Sequence, residues 1–339
     1  MIIDPIMRQN QEVVLTGDRP TGPLHLGHYV GSLRNRLAFQ GNAKQYIMIA
    51  DVQALTDHFR NPAEIQKNTL EVMYDYLAVG LDPNQSTIFI QSLIPELFEF
   101  TVYFLNLVTW NRLQHNPTVK LELQQKAFKG VPAGFMIYPV SQAADILAFK
   151  PTIVPVGADQ RPMLEQTWEI RETIHSLYNT NLFPKPKALI PTMARLPGID
   201  GKAKMSKSLN NSIFLGEPRD TLQKKIKRMY TDPNHLRVED PGQVEGNPVF
   251  TYLDEFGKDK TTINSLKEHY QRGGLGDSKV KEYLFEVLDE WMSPIRARRE
   301  DAANHPEKVK RILYQGSEQA REVVRRTLKE FRRAMHFVA

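Results

Sequence analysis

Two short segments far apart in the sequence carry the side chains best suited to chemistry on a nucleoside triphosphate. The first, at 20–28, reads PTGPLHLGH and places two imidazoles, His25 and His28, around Gly27. The second, at 204–208, reads KMSKS and carries two ammonium groups and two hydroxyls. Imidazoles and ammonium groups can stabilise the negative charge that builds up at a phosphate during its transfer, and glycine lets the backbone approach an anion closely. The two segments together indicate chemistry at a phosphate.

The spacing of apolar residues predicts which elements position the first segment. Strands and helices are expected to alternate through the N-terminal part, which is typical of a doubly wound parallel sheet with ligands at the carboxyl ends of its strands. The predicted strands are 12–15, 46–50, 87–90 and 152–156, and the predicted helices are 27–40, 62–78, one from Pro95, 139–149 and 161–178. The first segment then lies where a strand leads into a helix, whose free N–H groups can bind an anion.

The character of the sequence changes after Pro186. Residues 187–211 are rich in Gly, Pro, Lys and Ser, which predicts a mobile loop. Beyond Pro218 helices are expected over 220–229, 261–272, 278–304 and 306–337. We therefore predict an α/β fold: a Rossmann-like catalytic domain at 1–215 and an all-helical domain at 216–339, whose last helix can pack back on the first domain. The apolar stripe of that helix is interpreted as core packing: Val323, Val324, Leu328, Phe331 and Met335.

Composition limits the class of protein. The 339 residues are 41% hydrophobic and 24% charged, as in ordinary soluble proteins. There is no cysteine, which excludes disulfides, thiolate catalysis and Cys-ligated metal sites. No apolar run reaches the roughly 18 residues of a membrane span, and residues 1–10 lack the apolar core of a signal peptide. We expect a cytoplasmic protein.

The net charge of +5 is concentrated late in the chain. Any one basic cluster could equally be the solvated face of a helix. The location of all of them in the same part of the chain favours a surface that binds a polyanion. The clustered cations are Lys224, Lys225, Lys227, Arg228, Arg296, Arg298, Arg299, Lys308, Lys310, Arg311, Arg321, Arg325, Arg326, Lys329, Arg332 and Arg333.

These segments resemble those of a known family. The sequence TGDRPTG at 16–22 with HLGH at 25–28 resembles the HIGH motif of class I aminoacyl-tRNA synthetases, and 204–208 matches their KMSKS motif letter for letter. Three further stretches resemble the tryptophanyl and tyrosyl subclass: DVQALT at 51–56, YPVSQAAD at 138–145 and VPVGADQ at 154–160. The similarity extends over nearly the whole chain and is closest to the bacterial tryptophanyl members. Neither a P-loop nor a GxGxxG motif is present.

The resemblance implies activation of an amino acid with ATP. The carboxylate of the amino acid attacks the α-phosphate, so the protein supplies position and charge stabilisation rather than a nucleophile. His25, His28, Lys204 and Lys207 would be catalytic. ATP would be bound by Arg19, Pro20, Thr21, Gly27, His28, Lys120, Gly157, Ala158, Asp159, Leu196, Lys204, Met205, Ser206, Lys207 and Ser208. The implied metal is Mg²⁺ carried with ATP, and no dedicated protein metal site is expected.

The identity of the amino acid is a separate question. Tyr138, Gln142 and Asp145 share one helix face. A carboxylate at Asp145 can accept from an indole N–H, although a tyrosine hydroxyl would serve equally. Gln142 stands where many tryptophanyl enzymes have methionine, but tyrosyl enzymes usually have tyrosine at the position of Leu15. Bacterial tyrosyl enzymes also carry an extra RNA-binding domain, for which this chain has no room. We therefore predict a tryptophan site formed by Leu15, Gly17, Tyr138, Gln142, Asp145 and Gln160.

The implied partners are L-tryptophan, ATP and tRNA(Trp), with the helical domain binding the anticodon. Members of this subclass are homodimers, and the apolar stretch at 93–108 is our candidate dimer surface, burial within the monomer being the competing interpretation. Its helically spaced apolar residues are Leu97, Phe98, Val102, Leu105 and Val108. The alternative functions are a tyrosine–tRNA ligase, a small-molecule adenylyltransferase and a non-catalytic RNA-binding relative.

Overall fold

A five-stranded sheet lies at the centre of the N-terminal part of the chain. The computed structural model describes residues 12–125, 130–157, 160–190, 196–207 and 209–337. All paired strands are parallel, in the order β3-β2-β1-β4-β5. The strands are β1 (Val13–Asp18), β2 (Lys44–Ile49), β3 (Ser86–Ile90), β4 (Ile153–Pro155) and β5 (Lys187–Leu189). The chain moves outward from β1 to β3 and then returns to the other side of β1, so the strand order reverses between β1 and β4. Ligands bind at such a reversal in doubly wound sheets.

Helices cover the sheet and form the C-terminal part. The first helical segment is interrupted by a π-helical stretch, Tyr29–Leu33, and a short 3₁₀ helix, Gln91–Leu93, follows β3. The α-helices are α1 (Leu26–His28), α2 (Arg34–Phe39), α3 (Asp51–His58), α4 (Pro62–Val79), α5 (Glu96–Leu105), α6 (Trp110–Gln114), α7 (Pro117–Gln125), α8 (Ala133–Ala148), α9 (Arg161–Leu177), α10 (Arg219–Lys227), α11 (Pro248–Phe256), α12 (Lys260–Arg272), α13 (Asp277–Asn304) and α14 (Pro306–Ala334).

The predicted fold class is confirmed, and two local predictions are wrong. Helix α8 begins at Ala133 rather than at Pro139, which lies inside it. Phe135 and Met136 of its first turn are buried, and their packing compensates for the hydrogen bond that Pro139 cannot donate. The stretch predicted as one mobile loop contains β5, whose three residues are too few to show a strand period.

The two long C-terminal helices pack against the N-terminal part. Helix α13 lies along α4, and α14 covers the outer edge of β3. The ring of Phe331 on α14 stacks on Phe100 at 5.7 Å between centroids. The predicted apolar stripe of α14 is packed against the core of the sheet, with Val324, Leu328 and Phe331 buried. Among the described residues, no helix combines the length and the apolar character needed to cross a membrane.

Several of the clustered cations make ion pairs with carboxylates of the N-terminal part. Arg299 binds the buried carboxylate of Asp75 at 2.7 Å and also pairs with Glu71. The same kind of pairing joins Arg321 and Arg325 to Glu96 and Arg332 to Glu99. Lys150 and Glu330 pair with the charges reversed, the cation lying in the N-terminal part. These arginines therefore fasten the C-terminal helices to the sheet domain.

The Arg299–Asp75 pair predicts a measurable loss of stability. Asp75 is completely buried, so Arg299→Met leaves its carboxylate without a counter-ion and is expected to lower the free energy of unfolding by about 3 kcal/mol. Urea unfolding measures this loss. The matched control is Arg296→Met on the same helix, which is expected to cost less than about 1 kcal/mol because its partner Asp289 is partly exposed and also binds Arg219. Equal losses in the two variants would contradict the assignment.

Candidate active site

The turn between β1 and α1 is held against the KMSKS segment. Lys207 donates from Nζ to the carbonyl of Gly22 at 2.8 Å, and the backbone N of Gly27 lies 3.4 Å from Sδ of Met205. Gly22 has φ +123°, a conformation that favours glycine. A Cβ at residue 27 would lie 3.0 Å from the ring of His25. The two motifs, about 180 residues apart in sequence, therefore form one site.

Asn211 organises the KMSKS segment from behind. Its Oδ1 accepts from the backbone N of Ser206 at 2.8 Å, and its Nδ2 donates to Lys204 O at 3.4 Å. The side chain is almost fully buried. A Cβ at residue 198 would lie 2.1 Å from Nδ2 of Asn211, so only glycine fits there. The backbone of this segment is thus fixed by one amide side chain, while Lys204 remains exposed.

Hydrogen bonding and burial set the protonation of the two histidines. Nδ1 of His28 accepts from the backbone N of His25 at 3.1 Å, so the proton of the neutral ring is on Nε2. Burial lowers the pKa of His28 to about 4, although Asp18 acts in the opposite direction. Burial, followed by the neighbouring His28 and Lys207, lowers the pKa of His25 to about 2. Both rings are therefore neutral at pH 7, so either could offer a phosphate a hydrogen bond but not a positive charge.

A buried charge network lies beneath this turn. Asp18, at the end of β1, is 2.8 Å from Nη1 of Arg36 and accepts from the hydroxyl of Tyr76 at 2.6 Å. Arg36 and Tyr76 are both fully buried. Burial favours the neutral acid, but the charge of Arg36 and the hydrogen bond from Tyr76 outweigh it and lower the pKa of Asp18. Asp18 is thus a fixed anion that balances part of the surrounding positive charge.

A cavity of about 340 Å³ opens beside the turn, at the carboxyl ends of β1, β2 and β4. All six residues of the predicted tryptophan site and two of the predicted ATP site line it: Leu15, Gly17, Tyr138, Gln142, Asp145 and Gln160, with Arg19 and Gly157. Gly17 belongs there because a Cβ at this position would lie 2.6 Å from the carbonyl of Met48 on β2. The cavity is large enough for an aromatic amino acid.

Asp145 is the buried acidic group of this cavity. Its Oδ2 accepts from Nε2 of Gln91 at 2.8 Å, whereas its Oδ1 has no hydrogen-bond partner among the described residues. Burial raises the pKa of Asp145 to about 7, and the charge of Asp51 adds to that effect. The unpaired oxygen calls for a ligand that donates a hydrogen bond, since a buried acceptor without a partner is costly.

The structure places the other predicted residues as follows. Pro20 and Thr21 lie on the turn before α1, and the buried Leu196 contacts the KMSKS segment through a hydrogen bond from Met205 N to its carbonyl. Lys120 is exposed on α7. Ala158, Asp159 and Ser208 lie outside the described residues.

Several polar residues of the site were not predicted, among them Gln53, Gln91 and Glu122. Gln53 and Glu122 line the cavity, and Gln91 supports Asp145 from behind. Gln53 and Gln91 both follow a strand closely, so the rule that ligands bind at the carboxyl ends of strands could have found them. Glu122 lies on α7, 3.3 Å from the hydroxyl of Tyr138, and no sequence signal pointed to it.

Known proteins resemble this chain over most of its length. The family model of class I tRNA synthetases (W and Y) matches residues 7–293. A tryptophan–tRNA ligase from Clostridium longisporum is 58% identical over 327 residues, which cover 95% of this chain and 96% of that protein. A tryptophan–tRNA ligase from Streptococcus agalactiae is 54% identical over 331 residues, covering 95% and 97%.

A solved structure agrees with these relatives. The tryptophanyl-tRNA synthetase from Campylobacter jejuni, complexed with ADP and tryptophan, superposes with a TM-score of 0.86 at 28% identity, covering 96% of this chain and 100% of that one. The family model alone matches well over half of the sequence. The chain therefore belongs to the class I tRNA synthetases that are specific for tryptophan and tyrosine.

Proposed function

We propose that this chain is a tryptophan–tRNA ligase, which activates L-tryptophan with ATP and transfers it to tRNA(Trp). The observation that carries the assignment is the unpaired Oδ1 of Asp145 in a cavity that opens beside the turn between β1 and α1. An indole N–H is a donor only and matches that acceptor. Both curated relatives described above are tryptophan–tRNA ligases, at 54% identity or more.

The first step joins tryptophan to AMP. The tryptophan carboxylate attacks the α-phosphate, an O–P bond forms, and the bond to the β-phosphate breaks as pyrophosphate leaves. His28 donates from Nε2 to a phosphate oxygen. The backbone N–H of Gly27 is a further donor, because its partner in the structure is only the weak acceptor Sδ of Met205 at 3.4 Å. Lys207 exchanges the carbonyl of Gly22 for the pyrophosphate as charge develops there. Mg²⁺ carried with ATP would share the charge of the phosphates.

Tryptophan occupies the cavity with its indole toward Asp145. Tyr138 and Gln160 hold its α-amino end, and Gln142 lies on the same face of α8 as Asp145. Leu15, which is 3% exposed, gives the pocket an apolar wall where a tyrosine-reading site would need a polar group. The pocket therefore suits an indole better than a phenol.

The helical part at 216–339 binds tRNA in this proposal. The arginines that pair with carboxylates of the sheet domain are committed to that contact. Exposed cations at the end of α10, Lys224, Lys227 and Arg228, provide phosphate contacts instead. Bases of the anticodon are read as unstacked single-stranded bases, as is usual in RNA recognition.

The chain is also proposed to form a homodimer. Leu97 is fully buried in the monomer, so that residue of the predicted surface belongs to the core. Val102 on α5 is 59% exposed, and Phe59, the residue after α3, is 52% exposed. An apolar depression lined by Phe59 and Phe98 continues this surface. An exposed patch of this kind is typical of a subunit interface.

The proposed function predicts exchange between pyrophosphate and ATP that depends on tryptophan. Labelled pyrophosphate is incubated with the chain, ATP, Mg²⁺ and either tryptophan or tyrosine, and label in ATP is measured. Exchange is expected with tryptophan because only its adenylate forms. Exchange with tyrosine alone would establish the tyrosine ligase, and adenylate formation without charging of any tRNA would indicate a small-molecule adenylyltransferase.

Lys207→Ala is expected to lower kcat of the exchange reaction about 100-fold, since one preorganised donor to the developing charge is lost. The KM for tryptophan should change less than about twofold, because Lys207 does not line the tryptophan cavity. Lys202→Ala is the matched control, an exposed lysine of the same loop, and should leave both constants unchanged. An equal effect on kcat and on the KM for tryptophan would contradict a role confined to the phosphates.

The raised pKa of Asp145 predicts that tryptophan binding depends on pH. The carboxylate ionises above about pH 7 and is then the stronger acceptor, so the KM for tryptophan should fall as pH rises through that value. The side chain of the Asp145→Asn variant cannot ionise. Its NH₂ group must face either Nε2 of Gln91 or the indole N–H, both of which are donors, so one of the two hydrogen bonds is lost. Its KM should be at least about tenfold higher and independent of pH. A KM for the unchanged chain that is flat across this range would refute the assignment.

A further inference from the structure

The outer edge of β3 is covered by the C-terminal helix at unusually short range. β3 is the terminal strand of the sheet, and the outward N–H and C=O groups of such a strand need partners. A Cβ at residue 316 of α14 would lie 2.0 Å from the carbonyl of Ile88. Gly316 therefore lets the helix backbone touch the strand, a contact that no other residue permits.

At this contact Ser317 provides a hydrogen-bond partner for a backbone N–H group on the outer edge of β3. Its hydroxyl accepts from the backbone N of Ile90 at 3.0 Å and donates to the carbonyl of Leu313 at 2.7 Å. The side chain is 3% exposed, so water does not substitute for it. The last residue of β3 is thus fixed by a side chain of the C-terminal helix, more than 200 residues away in sequence.

The residue after Ile90 is Gln91, which supports the acidic group of the tryptophan cavity. Gln91 is completely buried. Its Nε2 donates to Oδ2 of Asp145 at 2.8 Å, and its Oε1 accepts from the backbone N of Gln53 at 3.0 Å. With both ends of the amide engaged, its position decides which oxygen of Asp145 stays unpaired and where that oxygen points.

We infer that Ser317 is a positioning residue for tryptophan recognition, which acts through Ile90 and Gln91 on Asp145. The inference rests on the proposed function and extends it to a residue outside the cavity. Loss of the hydroxyl releases the end of β3, moves Gln91 and misaligns the acceptor for the indole N–H. The ATP site, built on the turn between β1 and α1, does not share these hydrogen bonds.

The experiment compares Ser317→Ala with Thr327→Val in the exchange reaction. Thr327 is the matched control because it is equally buried on α14 and donates to the carbonyl of Val323 in its own helix. Ser317→Ala should raise the KM for tryptophan about tenfold, with the KM for ATP within about twofold of the unchanged chain. Thr327→Val should leave both constants unchanged. Ser317→Cys keeps a weaker hydrogen-bond acceptor, so its KM for tryptophan should lie between those of the unchanged chain and Ser317→Ala.

A second measurement separates positioning from stability. If Ser317 acts through Gln91, the double variant with Gln91→Ala has the same KM for tryptophan as Gln91→Ala alone. Additive effects, equal changes in both KM values, or a fall in Tm with both KM values unchanged would overturn the inference. Tryptophan-dependent exchange by the unchanged chain tests the proposed function separately. If the unchanged chain shows no such exchange, the proposed function fails and the inference fails with it.

Discussion

The site depends on one constraint: the basic side chains around the turn between β1 and α1 are buried away from water. Burial lowers the pKa of His28 to about 4 and that of Lys207 to about 8. The imidazole is consequently a neutral donor at pH 7, while the lysine is still mostly charged. In such a site each donor interacts with a phosphate more strongly than it would in water. The fixed anion of Asp18 keeps the accumulation of positive charge compatible with folding.

The same burial explains why Lys207 of the second motif contacts the turn of the first. A desolvated ammonium group must find an acceptor, and Lys207 finds the carbonyl of Gly22. That neutral acceptor attracts the ammonium group less strongly than a phosphate oxygen would, because the phosphate oxygen carries negative charge. The lysine can therefore change partners when a phosphate arrives, while Asn211 keeps the backbone of its segment in place.

The parts of the structure that depend on local sequence were predictable, and those that depend on distant pairing were not. The strand-to-helix turn, the family motifs and the end of α4 at Gly80, with φ +103°, all follow from local residue types. The basic clusters looked alike in the sequence, yet Arg299 and Arg321 pair with carboxylates of the sheet domain. Nothing near them in the sequence reveals those partners.

The candidate site shows the same division. Asp145 was predicted from its helix face. Its support by Gln91 depends on how the segment after β3 meets α8, and a pattern of residue types does not reveal which side chains meet there. The early start of α8 had a similar cause, since buried contacts of Phe135 outweighed the local effect of Pro139. Sequence reasoning located the groups that line the cavity but not the groups that hold those side chains in place.

The supporting groups connect both substrate sites to the C-terminal helices. Through its ion pair with Asp75, Arg299 of α13 fixes the carboxylate that accepts from the backbone N of Leu24, one residue before His25. On the other side, α14 holds the end of β3 beside Gln91. The ATP turn and the tryptophan pocket are thus each supported by one of two consecutive helices. Any displacement of that helical pair relative to the sheet would disturb both sites together, so the proposed tRNA-binding part is also a structural component of the catalytic part.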